Sequence, residues 1–186
     1  IFLEEFDSFD FVVGIVDVVD GDGFFGEGVE EIVDAETTAN VVVVFDDRQQ
    51  IIDPHTAYQM TSILEGVVQH GTGRSLKKLE RPLAGKTGTT NEEKDAWFVG
   101  YSPDLVVGVF VGYDTPRPMG KGQTGGRVAA PIFGAFMKKA LADKPATPFR
   151  IPPGIKLVRV NHRTGLRASA DQSDTIMEAF KPGEGP

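Results

Sequence analysis

The run Gly85-Lys86-Thr87-Gly88-Thr89-Thr90 collects side chains that could do chemistry together. Lys86 supplies a fixed positive charge. Thr87 and Thr89 supply hydroxyls that can hold a carboxylate. A strand edge offers a backbone N–H to a carbonyl oxygen, and Gly88 lets an acyl group come close to the backbone. Such a set could bind an acidic peptide end and stabilise a developing oxyanion. A Lys-Thr-Gly triplet taken alone is equally a polar strand end with a glycine in it, so its context has to decide.

Other candidates are weaker. The chain has no cysteine, which excludes disulfides, thiolate zinc sites and a cysteine nucleophile within it. His55, His70 and His162 fall at a helix start, a helix end and a turn, with no metal-ligand spacing between them, so none is assigned as a ligand. Trp97 reads as core or cleft wall rather than a substrate platform. Asp95 reads as a local hydrogen-bonding residue rather than a catalytic acid.

The elements around the motif follow from pattern. Asp53 suits a helix N-cap and Pro54 the first helical position. Ala57, Met60, Ile63, Leu64, Val67 and Val68 recur at helical spacing and predict a helix over 54–70, with Gly71 and Gly73 ending it. Three strands should follow, over 82–89, 95–101 and 105–113, with short links that favour antiparallel neighbours. In the second, Trp97 and Val99 face one way and Phe98 and Gly100 the other. The third is nearly all apolar, which suggests burial on both faces. Residues 115–126 read as a loop. A second helix is expected over 128–142, with Ile132, Phe133, Phe136, Met137, Ala140 and Leu141 inward and Pro131 in its first turn. A Pro-rich stretch over 144–154, a short strand over 155–160, a turn over 161–165 and a loosely tied tail over 166–186 complete the chain.

Its 186 residues, 40 % of them hydrophobic, allow one packed domain with an appendage. The formal charge of −8 is unevenly spread. Residues 1–47 carry 14 acidic residues and no Lys, Arg, His or Pro, whereas residues 48–186 carry 13 acidic and 19 basic ones. The organisation expected is an acidic segment over 1–47, either a divergent insert or misread sequence, then a body over 48–143 and an extension over 144–186. Within the first segment, 11–19 and 41–45 read as strands. Residues 20–31 resemble a calcium loop only loosely, because Phe25 stands where the sharp turn needs glycine. The whole-chain charge says little about a partner: the mildly basic body could suit an anionic polymer, but a mixed solvated surface is the preferred reading, and no nucleic-acid partner is expected. No run reaches the length of a membrane span and no signal peptide is visible. A chain starting at Ile1 suits a piece whose targeting segment lies elsewhere.

Beyond the triplet, residues 53–62, 65–68, 71–73, 85–91, 94–99, 102–107 and 125–132 resemble, in order, the class A penicillin-binding proteins, especially the 1A type. Lys-Thr-Gly is the third motif of penicillin-binding proteins and serine β-lactamases. The resemblance covers roughly 48–185. It implies an α/β fold, part of a penicillin-binding protein/serine β-lactamase-like transpeptidase, with a five-stranded antiparallel sheet flanked by helices. It implies that Lys86 positions substrate and tunes proton transfer. It also implies that Thr87 and Thr89 bind the terminal carboxylate of a D-Ala-D-Ala stem peptide or a β-lactam, beside Gly88, and that the Thr89 N–H is one oxyanion-hole donor. Lys86 and Thr89 are thus the catalytic candidates, with no cofactor and no metal. The reaction implied is acyl transfer through a serine, in peptidoglycan cross-linking at the periplasmic face of the bacterial inner membrane.

The family also needs a Ser-x-x-Lys helix and a Ser-x-Asn loop upstream. No Ser-x-Asn occurs in this sequence. Ser75-Leu76-Lys77-Lys78 fits Ser-x-x-Lys as text but lies just before Lys86, in the link between helix and strand, and is read as a decoy. The expectation is a transpeptidase piece without its nucleophile, inactive alone, whose partner is the rest of that domain. The membrane would be reached only through an N-terminal anchor. The alternatives are a non-catalytic module binding peptidoglycan or a partner protein, and an inactive truncated product.

Overall fold

The computed structural model describes residues 13–15, 19–20, 24–25 and 49–186. The expectations for an insert over 1–47, for a strand over 41–45 and for most of the 20–31 loop lie outside the described residues. Nine strands and two α-helices are described. They run in the order β1 (Val13–Ile15), β2 (Val19–Asp20), β3 (Phe24–Phe25), β4 (Gln49–Gln50), α1 (Pro54–Gln69), β5 (Ala84–Thr89), β6 (Asp95–Ser102), β7 (Leu105–Gly112), α2 (Ala130–Ala140), β8 (Lys156–Asn161) and β9 (Thr175–Phe180).

The main sheet is antiparallel, in the order β1-β7-β6-β5. Four strands are described where the family resemblance implies five. A small β2-β3-β4 sheet and a β8-β9 hairpin stand beside it. One face of the main sheet is dry. Phe98, Val107 and Val109 are fully buried there and meet Phe133 and Met137 of α2, with Phe98 and Phe133 ring centroids 4.7 Å apart. The predicted α2 stripe is therefore the core-facing one. The helix differs at its start: residues Gly125–Ala129 form a π-turn that feeds into Ala130.

Three expectations are corrected. The α1 stripe is rotated in part: Val68 of the predicted stripe is buried, but Met60 and Ile63 are exposed while Tyr58 and Thr61, outside the stripe, are buried. A polar contact goes with the rotation: the Thr61 and Tyr101 hydroxyls lie 3.0 Å apart, beside the apolar packing of Tyr58 and Val68. Strand β7 is fully buried on one face only, at Val107, Val109 and Val111, while Val106 and Phe110 are half-buried. The tail is not loose. Its residues Thr175–Phe180 pair along the whole of β8. Gln59 of α1 donates its amide to Ala179 O at 3.0 Å, and Lys181 Nζ donates to Thr56 Oγ1 at 2.6 Å. Among the described residues no helix is long and apolar enough to cross a membrane.

Candidate active site

Strand β5 carries the Lys-Thr-Gly run along the outer edge of the described sheet, hydrogen-bonded to β6 on one side. Its start is pressed against its neighbour by paired glycines. A Cβ on Gly85 would lie 2.8 Å from Val99 O, so only glycine permits the approach. The register then sets Lys86 opposite Val99, Thr87 opposite Phe98, Gly88 opposite Trp97 and Thr89 opposite Ala96. Side chains alternate along a strand, so Lys86 shares the open face with Val99 and Trp97, and Thr87 and Thr89 turn the other way.

On the open face Lys86 is exposed and folds back, its ammonium donating to Thr87 O at 2.9 Å. Trp97 is 43 % exposed and leans on Phe110 at 4.7 Å between centroids, so it walls this face rather than entering the core. On the other side, Thr87 Oγ1 lies 2.8 Å from Thr72 Oγ1, and Thr89 Oγ1 accepts the Gly125 N–H at 3.0 Å. Lys86 Nζ is also 3.5 Å from Thr87 Oγ1. A cation and three hydroxyls thus lie on or beside one strand end.

The neighbouring backbone is brought close by glycine. A Cβ on Gly125 would overlap the carbonyl oxygens of Trp97 and Gly88, and one on Gly126 would lie 2.6 Å from Thr72 O. Past Thr89 the β5–β6 link is tied to the loop before Gly125. Glu93 accepts the Gly122 N–H on its carboxylate at 2.7 Å and the Met119 N–H on its carbonyl at 3.0 Å. Glu92 and Glu93 hold left-handed φ values of 61° and 55°, which non-glycine residues adopt at some cost. The Lys94 hydrogen bond at 2.8 Å holds the Glu92 carboxyl below its ordinary range.

The four residues singled out in the motif, Lys86, Thr87, Gly88 and Thr89, lie together as their order on one strand requires. Ser75 is separate in kind. It sits exposed on the 3-10 helix Arg74–Leu79, as does Lys78. Asp95 works through its backbone: its N–H donates to Thr90 Oγ1 at 2.8 Å and its carbonyl accepts the Thr90 N–H at 3.0 Å. The histidines, read as unlinked, are partly brought together, since the His70 and His162 rings are 6.1 Å apart. His55 lies apart, with Nε2 2.9 Å from Pro153 O. Sequence reasoning gave no role to Thr72, Gly125 or Gly126. The signal available was the glycine flanking Thr72 on both sides and the glycine pair heading a helix, features that mark close backbone approach.

Comparisons with known proteins bear on the family and the fold. The family model described as Penicillin binding protein transpeptidase domain matches residues 29–138, including the end of the acidic segment. The penicillin-binding protein 1A of Pseudomonas aeruginosa is 43 % identical over 162 residues, 87 % of this chain and 20 % of that protein. That of Rickettsia conorii is 48 % identical over 132 residues, 71 % of this chain and 16 % of that protein. The chain thus spans about a fifth of the length of these relatives. The crystal structure of penicillin-binding protein 1A from Haemophilus influenzae superposes with a TM-score of 0.63 at 29 % identity, over 75 % of this chain and 22 % of that one. The PonA1 protein of Mycobacterium tuberculosis in complex with penicillin V gives 0.51 at 27 %, over 71 % of this chain and 38 % of that one. The chain belongs to the penicillin-binding protein transpeptidase domain family, within its class A, 1A-type branch.

Proposed function

We propose that this chain forms the Lys-Thr-Gly side of the cleft of a serine-type peptidoglycan D-Ala-D-Ala transpeptidase, a β-lactam target at the periplasmic face of the bacterial inner membrane. The observation that carries the reading is the exposed edge strand that presents the Lys86 ammonium and the Thr87 and Thr89 hydroxyls within the region matched by the transpeptidase family. A stem peptide or β-lactam laid along β5 meets its carboxylate partners at Thr87 and Thr89. Lys86 adds a positive charge where negative charge gathers. The Thr89 N–H serves as one oxyanion donor, and Gly88 leaves room for the acyl group. The serine that attacks comes from the remainder of the transpeptidase domain. Its hydroxyl adds to the acyl carbon, D-Ala leaves with a proton, and an amine from a neighbouring stem takes the acyl group and regenerates the serine.

The test is Lys86→Ala in the full-length protein that carries this sequence. Lys86 is exposed and, among the described residues, bonds only to its own strand neighbour, so its loss should leave the melting curve unchanged. Loss of a well-placed electrostatic group should lower the second-order rate of acylation by a β-lactam roughly a hundredfold. An unchanged rate with an unchanged melt would place the active site elsewhere.

A further inference from the structure

We propose that Thr72 is a positioning residue for carboxylate recognition, orienting the Thr87 hydroxyl through a direct hydrogen bond; this rests on the transpeptidase reading above. The two oxygens are 2.8 Å apart, and 15 residues separate them in sequence. A hydroxyl has one proton and two lone pairs. If Thr87 is to donate to a carboxylate, its proton must not be spent on Thr72. Thr72 therefore donates to Thr87 Oγ1. The Lys86 ammonium, 3.5 Å from the same oxygen, can only donate as well. With Thr72 donating, and the ammonium adding only a long contact, the Thr87 proton is left for a third partner. A hydroxyl that accepts a bond is polarised toward stronger donation.

The placement of Thr72 is built rather than incidental. Thr72 is exposed, so packing does not demand a threonine there. Its backbone is nonetheless clamped on both sides. Gly71 N–H donates to Gly66 O and Val67 O at 3.1 Å, and Gly73 N–H donates to Val67 O at 3.0 Å. A Cβ at Gly71 would lie 2.9 Å from Val67 Cα, and one at Gly126 would lie 2.6 Å from Thr72 O. Close glycine contacts thus fix Thr72 against the end of α1 and beneath the turn that opens α2. Its hydroxyl is delivered to β5 without help from its own side-chain packing.

The test is carried out in the full-length protein with Thr72→Val, which keeps the shape and removes the hydroxyl, and Thr72→Ser, which keeps the hydroxyl. Acylation rates are measured with a β-lactam bearing its carboxylate and with the methyl ester of the same compound. Thr72→Val should slow the carboxylate form about tenfold and the ester about twofold or less, and Thr72→Ser should restore the carboxylate rate. Equal slowing of both compounds, or failure of serine to restore the rate, would overturn the proposal in favour of a structural role. An unchanged rate in Thr72→Val while Lys86→Ala is slow would overturn the Thr72 inference alone. Unchanged rates in both variants would overturn the transpeptidase reading with it.

Discussion

The Gly125 N–H donates to the Thr89 hydroxyl at 3.0 Å, so the turn that opens α2 is fastened to the last residue of the Lys-Thr-Gly strand. The contact is possible only because residue 125 has no side chain, since a Cβ there would overlap the carbonyl oxygens of Trp97 and Gly88. Both are backbone atoms of paired strands and cannot swing aside. Gly125→Ala is therefore expected to push the turn off β5 and lower stability by about 2 kcal/mol or more. Gly66→Ala is the control, because a Cβ there meets nothing within 4 Å. Thermal melting of both variants checks this, and equal melts would show that the turn yields freely.

The contrast between what was and was not legible in the sequence has a local physical reason. Helix α1 was visible from Asp53 and Pro54, and its cap forms as expected, with the Thr56 N–H donating to Asp53 at 2.9 Å. Strands β5 to β7 were visible because their apolar residues alternate or cluster between turns. The inward face of α1 was misread because Thr61 is a polar type paired with Tyr101, 40 residues away, and Tyr58 packs in a cluster with Ala84, Phe149 and Ala179 from distant elements. Strand β9 was missed because the polar stretch before it masked its pattern, and its pairing with β8 crosses a long connection. The motif residues were legible by type, whereas Thr72 and Gly125 depend on long-range contacts that no spacing announces.

Labelling of the isolated 186-residue chain with a fluorescent penicillin is expected to give no covalent product. Ser75 is the one serine followed by lysine three residues on. It lies exposed on the 3-10 helix Arg74–Leu79, and Lys78 is exposed beside it. Neither side chain is enclosed by a cleft that would hold an acyl group against the hydroxyl and keep water out, as an activated serine requires. Labelling that disappears in Ser75→Ala would show that this short helix is a nucleophile site after all.

The clasp at the start of α1 should weaken in acid. The Thr56 N–H holds the Asp53 carboxyl below its ordinary value of 3.8, with lesser help from the Thr56 hydroxyl and His55. Lys181 Nζ lies 3.8 Å away. A carboxyl whose folded pKa is depressed stabilises the fold above its unfolded pKa, and loses that contribution as pH falls through the folded value. Asp53→Asn keeps a good N-cap but has no charge to lose. The Tm gap between the native chain and Asp53→Asn should be largest near neutrality and close below pH 3.8. A gap that does not vary with pH would mean that the cap works through geometry alone.

Glu65 should show the opposite sign. It lies half-buried on α1, in a hollow that it shares with Gln69, Lys77, Glu80 and Arg81. Burial raises its carboxyl above the ordinary value of 4.5. Burial likewise raises the Tyr58 and Tyr101 hydroxyls, and the negative charge of Glu65 raises both further. The protonated acid is thus the form the fold prefers. An acid raised in this way adds stability below its unfolded pKa, and that contribution is lost as pH rises through the folded value. Once ionised, Glu65 is a partly desolvated charge with no hydrogen-bond donor positioned for it among the described residues. Glu65→Gln removes the charge and keeps the shape, so its Tm should exceed that of the native chain at neutral pH and converge with it below 4.5. The Tyr101 hydroxyl should also titrate at lower pH in the variant, because the repelling charge has gone. A lower Tm for Glu65→Gln at neutral pH would show instead that Lys77 or Arg81 pairs with the carboxylate in solution strongly enough to outweigh its burial.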